Sequence, residues 1–238
     1  MAGLLENRLA LITGASRGIG RAVALAYAAQ GAHVILVART TGALEEVDDE
    51  IQAAGGKATL VPLNITDGEA IDRLGATIFE RWGHLDILVG NAGVLGTLTP
   101  VGHIAPKDWD EVMNINLTAN WRLIRSMDPL LRRSDAGRAL FVTSGAAESC
   151  KPYWGGYAAS KAALNAIVTS WAHEMENTPV RVNLINPGAT RTDMRAKAMP
   201  GEDPMSLPSP ADLAPLFVQL ALPDLKTNGE IVDFKQAD

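Results

Sequence analysis

An α/β fold, a doubly wound parallel sheet with helices on both faces in a single domain, is the class this sequence predicts. Three observations predict it. Short β-branched runs alternate with longer helical stretches along nearly the whole chain. Most of those runs are almost continuously apolar, as parallel strands covered on both faces are. The first of them runs into a glycine-rich turn that opens a helix. The length of 238 residues suits one large layered domain, and no linker, internal repeat or low-complexity tract divides it. A chain of this size buries about 70–75% of its unfolded surface and needs no disulfide or metal to hold a core.

Taken in order, the strand candidates number about seven. They are Leu9–Thr13, His33–Val37, Ala58–Leu63, Leu85–Val89, Ala139–Thr143, Val180–Ile185 and Glu230–Phe234. Between them the helical patterns cover Gly18–Gln30, Gly42–Ala54, Asp67–Trp82, Pro106–Arg133, Tyr153–Glu176 and Ala211–Leu220. One stretch, Ala189–Pro210, lacks a clear period and carries Pro200, Pro204, Pro208 and Pro210. An irregular segment this long inside one domain reads as a lid or substrate loop.

Composition narrows the function classes. With 21 Lys+Arg against 27 Asp+Glu the net charge is −6, and phosphate-backbone binding needs a concentrated basic surface instead. Nucleic acid is not the expected partner. No apolar run approaches a membrane span, and Met1–Asn7 lacks the basic start of a targeting segment. The lone Cys150 suits a reducing compartment, so a cytoplasmic protein is expected. The four histidines His33, His84, His103 and His173 are scattered without ligand spacing, and no metal site is expected.

The turn after the first strand reads Thr13-Gly14-Ala15-Ser16-Arg17-Gly18-Ile19-Gly20. Glycines there permit positive φ and close backbone approach to a pyrophosphate, while the helix start offers unpaired N–H groups. The spacing G-x-x-x-G-x-G differs from the G-x-G-x-x-G dinucleotide fingerprint. Its place at the first βα turn nonetheless points to a nucleotide. At the end of the second strand, where an NAD site places a carboxylate, stands Ala38, followed by Arg39. Arg39 and Arg17 are placed to grip a phosphate bidentately, which favours NADP, with NADPH preferred over NADH.

The motifs Thr13-Gly14-x-x-x-Gly18-x-Gly20, Asn91-Ala92-Gly93, Asn116, Ser144, Tyr157-x-x-x-Lys161 and Pro187-Gly188 occur in one order and spacing. In this the chain resembles the short-chain dehydrogenase/reductase family, in its compact single-domain branch, from Arg8 to Phe234. The resemblance implies a Rossmann-type fold and an oxidoreductase interconverting a carbonyl and a secondary alcohol. It implies that Tyr157 exchanges the substrate proton, Ser144 binds the same oxygen, and Lys161 holds the nicotinamide ribose and lowers the tyrosine pKa. It implies further that Asn116 bends the long helix and anchors a proton-relay water. Pro187, Gly188, Thr190 and Thr192 would border the nicotinamide, and Asn91, Ala92 and Gly93 the adenosine side. Asn64, followed by Ile65, stands where the family commonly has Asp receiving the adenine amino group; its amide oxygen still accepts. The glycine pair usual after the last strand is absent.

Residue chemistry supports this independently. On a helix Tyr157 and Lys161 are i and i+4 and share a face. A cation about 5 Å away stabilises phenolate by roughly 3 kcal/mol at an effective dielectric near 20. That would bring a group of ordinary pKa about 10 into working range near neutrality.

The substrate pocket is expected from Val94–Pro100, Glu148–Trp154 and Ala189–Pro210, with Tyr153, Trp154 and Glu148 as contacts and Cys150 a bystander. The substrate itself is not readable; a 3-oxoacyl reductase is one version, and a non-catalytic nucleotide sensor on the same fold the rival. Such a sensor usually loses the tyrosine or lysine, and this chain keeps both. Arg122, Arg125, Arg132 and Arg133 read as a solvated face, with docking of an acidic acyl carrier as the alternative. Apolar residues round more than one stripe of Asp110–Arg133 (Val112, Met113, Ile115, Leu117, Trp121, Ile124) and Tyr153–Glu176 (Ala162, Ala163, Ile167, Trp171) predict a homo-oligomer, dimer or tetramer.

Overall fold

Seven strands build the framework of the chain, which a computed structural model describes over residues 3–235. They are β1 (Leu9–Thr13), β2 (His33–Ala38), β3 (Lys57–Pro62), β4 (Ile87–Gly90), β5 (Arg138–Val142), β6 (Arg181–Asn186) and β7 (Ile231–Asp233). All pair in parallel as one sheet in the order β3-β2-β1-β4-β5-β6-β7. The chain therefore winds outward from β1 in one direction, then returns and winds outward from β4 in the other. The carboxyl ends of β1 and β4 flank that switch point, where an open α/β sheet leaves a crevice.

The pleat sends alternate strand residues to two cores. Leu11, Ile35, Leu88, Phe141 and Leu184 pack under helices α3 (Gly68–Trp82), α5 (Ala119–Leu131) and α7 (Gly155–Glu174). Ile12, Leu36, Val89, Leu140 and Ile185 face α1 (Gly18–Ala29), α2 (Thr41–Ala53) and α9 (Pro210–Leu220). β1 is buried at every position, which explains why its sequence, LALIT, shows no polar alternation. The Tyr27 hydroxyl donates to the Phe217 carbonyl at 3.0 Å and joins α1 to α9. Among the described residues no helix is long and apolar enough to cross a membrane.

Three local features depart from the sequence expectations, each for a readable reason. The stretch Pro106–Arg133 is not one α-helix: α4 (Pro106–Met113) passes through a π-helical turn, Asn114–Thr118, into α5. The extra residue in that turn carries Asn116 inward, where its side chain binds a neighbouring loop. The helix expected from Tyr153 starts at Gly155, because Tyr153 takes φ 75°, and a short helix α6 (Ala146–Ser149) precedes it. The segment 189–210, expected to be irregular, holds α8 (Asp193–Ala198) and a single 3-10 turn, Pro204–Ser206. Thr192 caps α8 by accepting from Arg195 N at 3.2 Å, and the Arg195 guanidinium grips Glu202 through two 2.6 Å bonds. Periodicity does not expose such short elements, since their order comes from caps and an ion pair.

Candidate active site

At the switch point Thr13 welds two strand ends together. Its hydroxyl donates to Val89 O at 3.2 Å and accepts from Asn91 N at 3.0 Å and Ala92 N at 3.1 Å. The Asn91 amide returns the bond, donating to Thr13 O at 2.9 Å. Thr13 and Asn91 therefore hold the walls of the crevice with their polar atoms. Gly14 sits at φ 65°, and a Cβ there would lie 2.9 Å from Asn91 Nδ2. A Cβ on Gly20 would lie 2.3 Å from Gly14 O, so only glycine lets α1 start this close to β1. No side chain caps α1, whose N-cap is Arg17. Its first-turn N–H groups are thus left to an anion.

The two arginines share one end of that cradle. Ala15 N donates to Val37 O at 3.2 Å, which brings the Ser16-Arg17 turn beside the end of β2 and Arg39. Both guanidinium groups are exposed, and neither forms an ion pair among the described residues. On the next loop Asn64 Oδ1 accepts from Thr66 N at 3.2 Å, which leaves that oxygen one lone pair. Ile65 buries its side chain in the core under α3, so it meets a ligand only through its backbone.

Deeper in the crevice, Tyr157 and Lys161 occupy the first turns of α7 and are 8% and 3% exposed. The sequence expectation that Lys161 pulls the phenol down is corrected by where the ammonium points. Lys161 Nζ donates to Val142 O at 2.8 Å and lies 5.9 Å from the tyrosine ring centroid. Burial pushes the Tyr157 phenol up from its ordinary value, against the hydrogen bond from Ser144 that pulls it down. Burial also lowers the Lys161 ammonium to about 8. Desolvation dominates at both because both side chains are almost wholly out of water.

Asn116 is fully buried and fully engaged. Its Oδ1 accepts from Val94 N at 2.8 Å, and its Nδ2 donates to Val94 O at 2.9 Å and to Ser160 Oγ at 3.0 Å. Its own carbonyl accepts from Asn120 Nδ2 at 2.8 Å. The carboxamide thus clamps the loop after Gly93, and a Cβ on Gly93 would stand 3.2 Å from Asn116 Oδ1 and 3.7 Å from Lys161 Nζ. The opposite wall is the turn after β6. Pro187 and Thr190 are buried, with Thr190 Oγ1 donating to Pro187 O at 3.0 Å, and Gly188 takes φ 64°. Thr192 faces Gly18, its methyl 3.7 Å from where a Cβ would stand, and so bridges the glycine turn to the 189–210 segment.

Two further residues of the site carry no motif at their positions. Asn186, at the end of β6, bonds three separate segments, and Ser160 receives the Asn116 amide and donates to Tyr157 O at 2.7 Å. Neither lies in a spacing pattern; their roles appear only once distant segments are brought together. Trp154, suggested as a substrate contact, meets Tyr157 edge to face with centroids 6.0 Å apart.

A doubly wound sheet, an uncapped glycine-lined helix start at its switch point, and a buried Tyr-Lys pair facing it define a nicotinamide-dinucleotide oxidoreductase. The residues fit the dinucleotide: no side chain caps the start of α1, and a Cβ on Gly18 there would meet nothing nearer than the Thr192 methyl at 3.7 Å. The chain belongs to the short-chain dehydrogenase/reductase family, NAD(P)-dependent enzymes that act on CH–OH groups; the family model for short chain dehydrogenase matches residues 8–203. It is 40% identical over 220 residues, 91% of this chain and 87% of the relative, to the uncharacterized oxidoreductase YciK of Escherichia coli. Among solved structures it resembles a short chain dehydrogenase of Pseudomonas syringae (TM-score 0.94, 39% identity, 98% of this chain and 96% of that one). It also resembles one from Escherichia coli CFT073 complexed with NADPH (TM-score 0.92, 38% identity, 98% of each chain).

Proposed function

We propose that the protein is an NADP(H)-dependent oxidoreductase that interconverts a ketone or aldehyde with an alcohol. The observation that carries the reading is the buried Tyr157 phenol, hydrogen-bonded to Ser144 with the Lys161 ammonium 5.9 Å from its ring centroid. Such a phenol can give a proton to a carbonyl oxygen and take it back in the reverse reaction. A nicotinamide held at this site would supply the hydride chemistry. Tyr157 gives its proton to the carbonyl oxygen, and the Ser144 hydroxyl binds that oxygen as charge develops on it. Lys161, fixed by Val142 O, would hold the ribose. Asn116 keeps the Val94 loop, and with it the pocket wall, in place.

The cofactor preference rests on Arg17 and Arg39 beside a β2 end that lacks a carboxylate. The NADPH-complexed relative supports the same preference. Gly14, Ser16, Gly18, Ile19 and Gly20 take the pyrophosphate end on a turn braced by the buried Thr13, Asn64, Ile65 and Asn91–Gly93 the adenosine side, and Pro187, Gly188, Thr190 and Thr192 the nicotinamide. Segment 189–210 covers a small substrate, and the lone Cys150 is consistent with a reducing cytoplasm. NADPH oxidation across a panel of diketones, quinones, sugars and 3-oxoacyl thioesters tests the reading. Turnover with NADPH on at least one class is expected; none on any class, with either cofactor bound, would sink it.

A further inference from the structure

The last residue of β6 gathers three segments on one carboxamide. Asn186 Oδ1 accepts from Gly145 N at 3.1 Å and from Gly188 N at 3.2 Å. Its Nδ2 donates to Asp233 Oδ1 at 2.8 Å, across the β6–β7 register in which Asn186 faces Asp233. Gly145 directly follows Ser144, and Gly188 directly follows Pro187, so the two N–H groups belong to opposite walls of the crevice.

A carboxamide flips at little cost unless its partners distinguish its two ends. Here they do. Two backbone N–H groups only donate, and an ionised carboxylate only accepts, so one orientation satisfies all three bonds. The carboxylate of Asp233 thereby sets the direction in which Asn186 presents its oxygen. Phe234 N also donates to Asn186 O at 2.9 Å, which holds β7 in register beside it.

We propose that Asn186, oriented by Asp233, is a positioning residue that fixes Ser144 against the nicotinamide wall, so that the short last strand is part of the catalytic support. The proposal rests on the oxidoreductase reading above. Loss of the shared oxygen lets the Ser144 and Gly188 segments move independently, and a misplacement of about 1 Å at a reacting centre costs up to roughly a hundredfold in rate.

Four variants test it: Asn186→Ala, Asn186→Asp, Asp233→Asn, and the double variant Asn186→Asp/Asp233→Asn. Asn186→Asp keeps the acceptor for both N–H groups but sets two carboxylates against each other. The double variant restores the bond with its polarity reversed. With NADPH saturating, kcat of Asn186→Ala and Asn186→Asp should fall roughly tenfold or more, and the double variant should recover to within about threefold of wild type. Backbone hydrogen exchange at Gly145 and Gly188, read by NMR, should accelerate together in Asn186→Ala and return towards wild type in the double variant. A residue that merely stabilises the fold would lower Tm and leave kcat of the folded enzyme unchanged. Wild-type kcat in Asn186→Ala, or no recovery in the double variant, would overturn the proposal. A wild type inactive on every carbonyl would count against the reductase reading instead, and the exchange at the two glycines would still decide whether residue 186 couples them.

Discussion

Asn116 and Val94 are joined by two reciprocal hydrogen bonds, the carboxamide pairing with the backbone as a neighbouring strand would, at 2.8 and 2.9 Å. Replacing Asn116 by Ala strands the Val94 N–H and C=O, while the Ser160 hydroxyl keeps its bond to Tyr157 O. An unsatisfied buried polar group costs about 1–3 kcal/mol. Asn116→Ala should therefore lower the denaturant midpoint by an amount that corresponds to at least about 1 kcal/mol, and weaken turnover with it. Asn116→Ala unfolding at the wild-type midpoint would mean that water replaces the clamp.

The proposed proton donor gives a sharper expectation. Tyr157→Phe removes one oxygen and leaves the ring against Trp154, so fold and NADPH affinity should stay near wild type. General acid catalysis contributes about 10²–10⁴-fold, and turnover should fall by at least that much. More than about a tenth of wild-type kcat in the Phe variant would require another acid.

Lys161 leaves a signature in the pH dependence of stability. Its folded-state pKa is lowered to about 8 from 10.5 by burial. Between these values the unfolded chain binds more protons than the folded one, so stability rises with pH across that window. Tyr157 acts oppositely above about pH 10, where the folded chain keeps the phenol proton longer. Denaturant titrations of wild type and Lys161→Met from pH 7.5 to 10 should diverge, with wild type gaining up to about 3 kcal/mol relative to the variant. Parallel curves would place the lysine charge in water.

Arg39 is the test of cofactor choice. A charge-assisted hydrogen bond to a 2′-phosphate is worth about 1.5–3 kcal/mol. Arg39→Ala should bind NADPH roughly ten- to 150-fold more weakly and NADH nearly as wild type does. Fluorescence titration of both cofactors decides it; equal losses would show that Arg39 supports the loop, and a wild type preferring NADH would overturn the assignment itself.

Self-association has a face to use. Trp109 and Trp121 stay 41% and 45% exposed on α4 and α5, and Ala162 is exposed on α7. Trp171, expected on the same outer face, instead packs on Phe141 and donates to Asp128 at 2.9 Å, so the face is narrower than the sequence predicts. Light scattering should show a dimer or tetramer, and Trp121→Glu should shift it towards monomer. A wild type that is monomeric at all concentrations would rule the interface out.

By itself the sequence determined the sheet, the order of its strands along the chain, the glycine turn and the Tyr157-Lys161 pair, because each is local. An apolar run, a turn residue and an i,i+4 spacing act over a few bonds and leave their pattern in consecutive letters. Only the tertiary structure decided where the polar atoms of those residues go. The Thr13 hydroxyl closes on Asn91, the Thr192 hydroxyl caps α8, and Lys161 turns to Val142 O rather than to the phenol. Asn186 meets Gly145 from 41 positions away and Asp233 from 47. Such bonds depend on which strand ends the winding brings together, and so does the burial that sends the tyrosine and lysine pKa values in opposite directions, since desolvation belongs to the packed crevice and to no single residue in it.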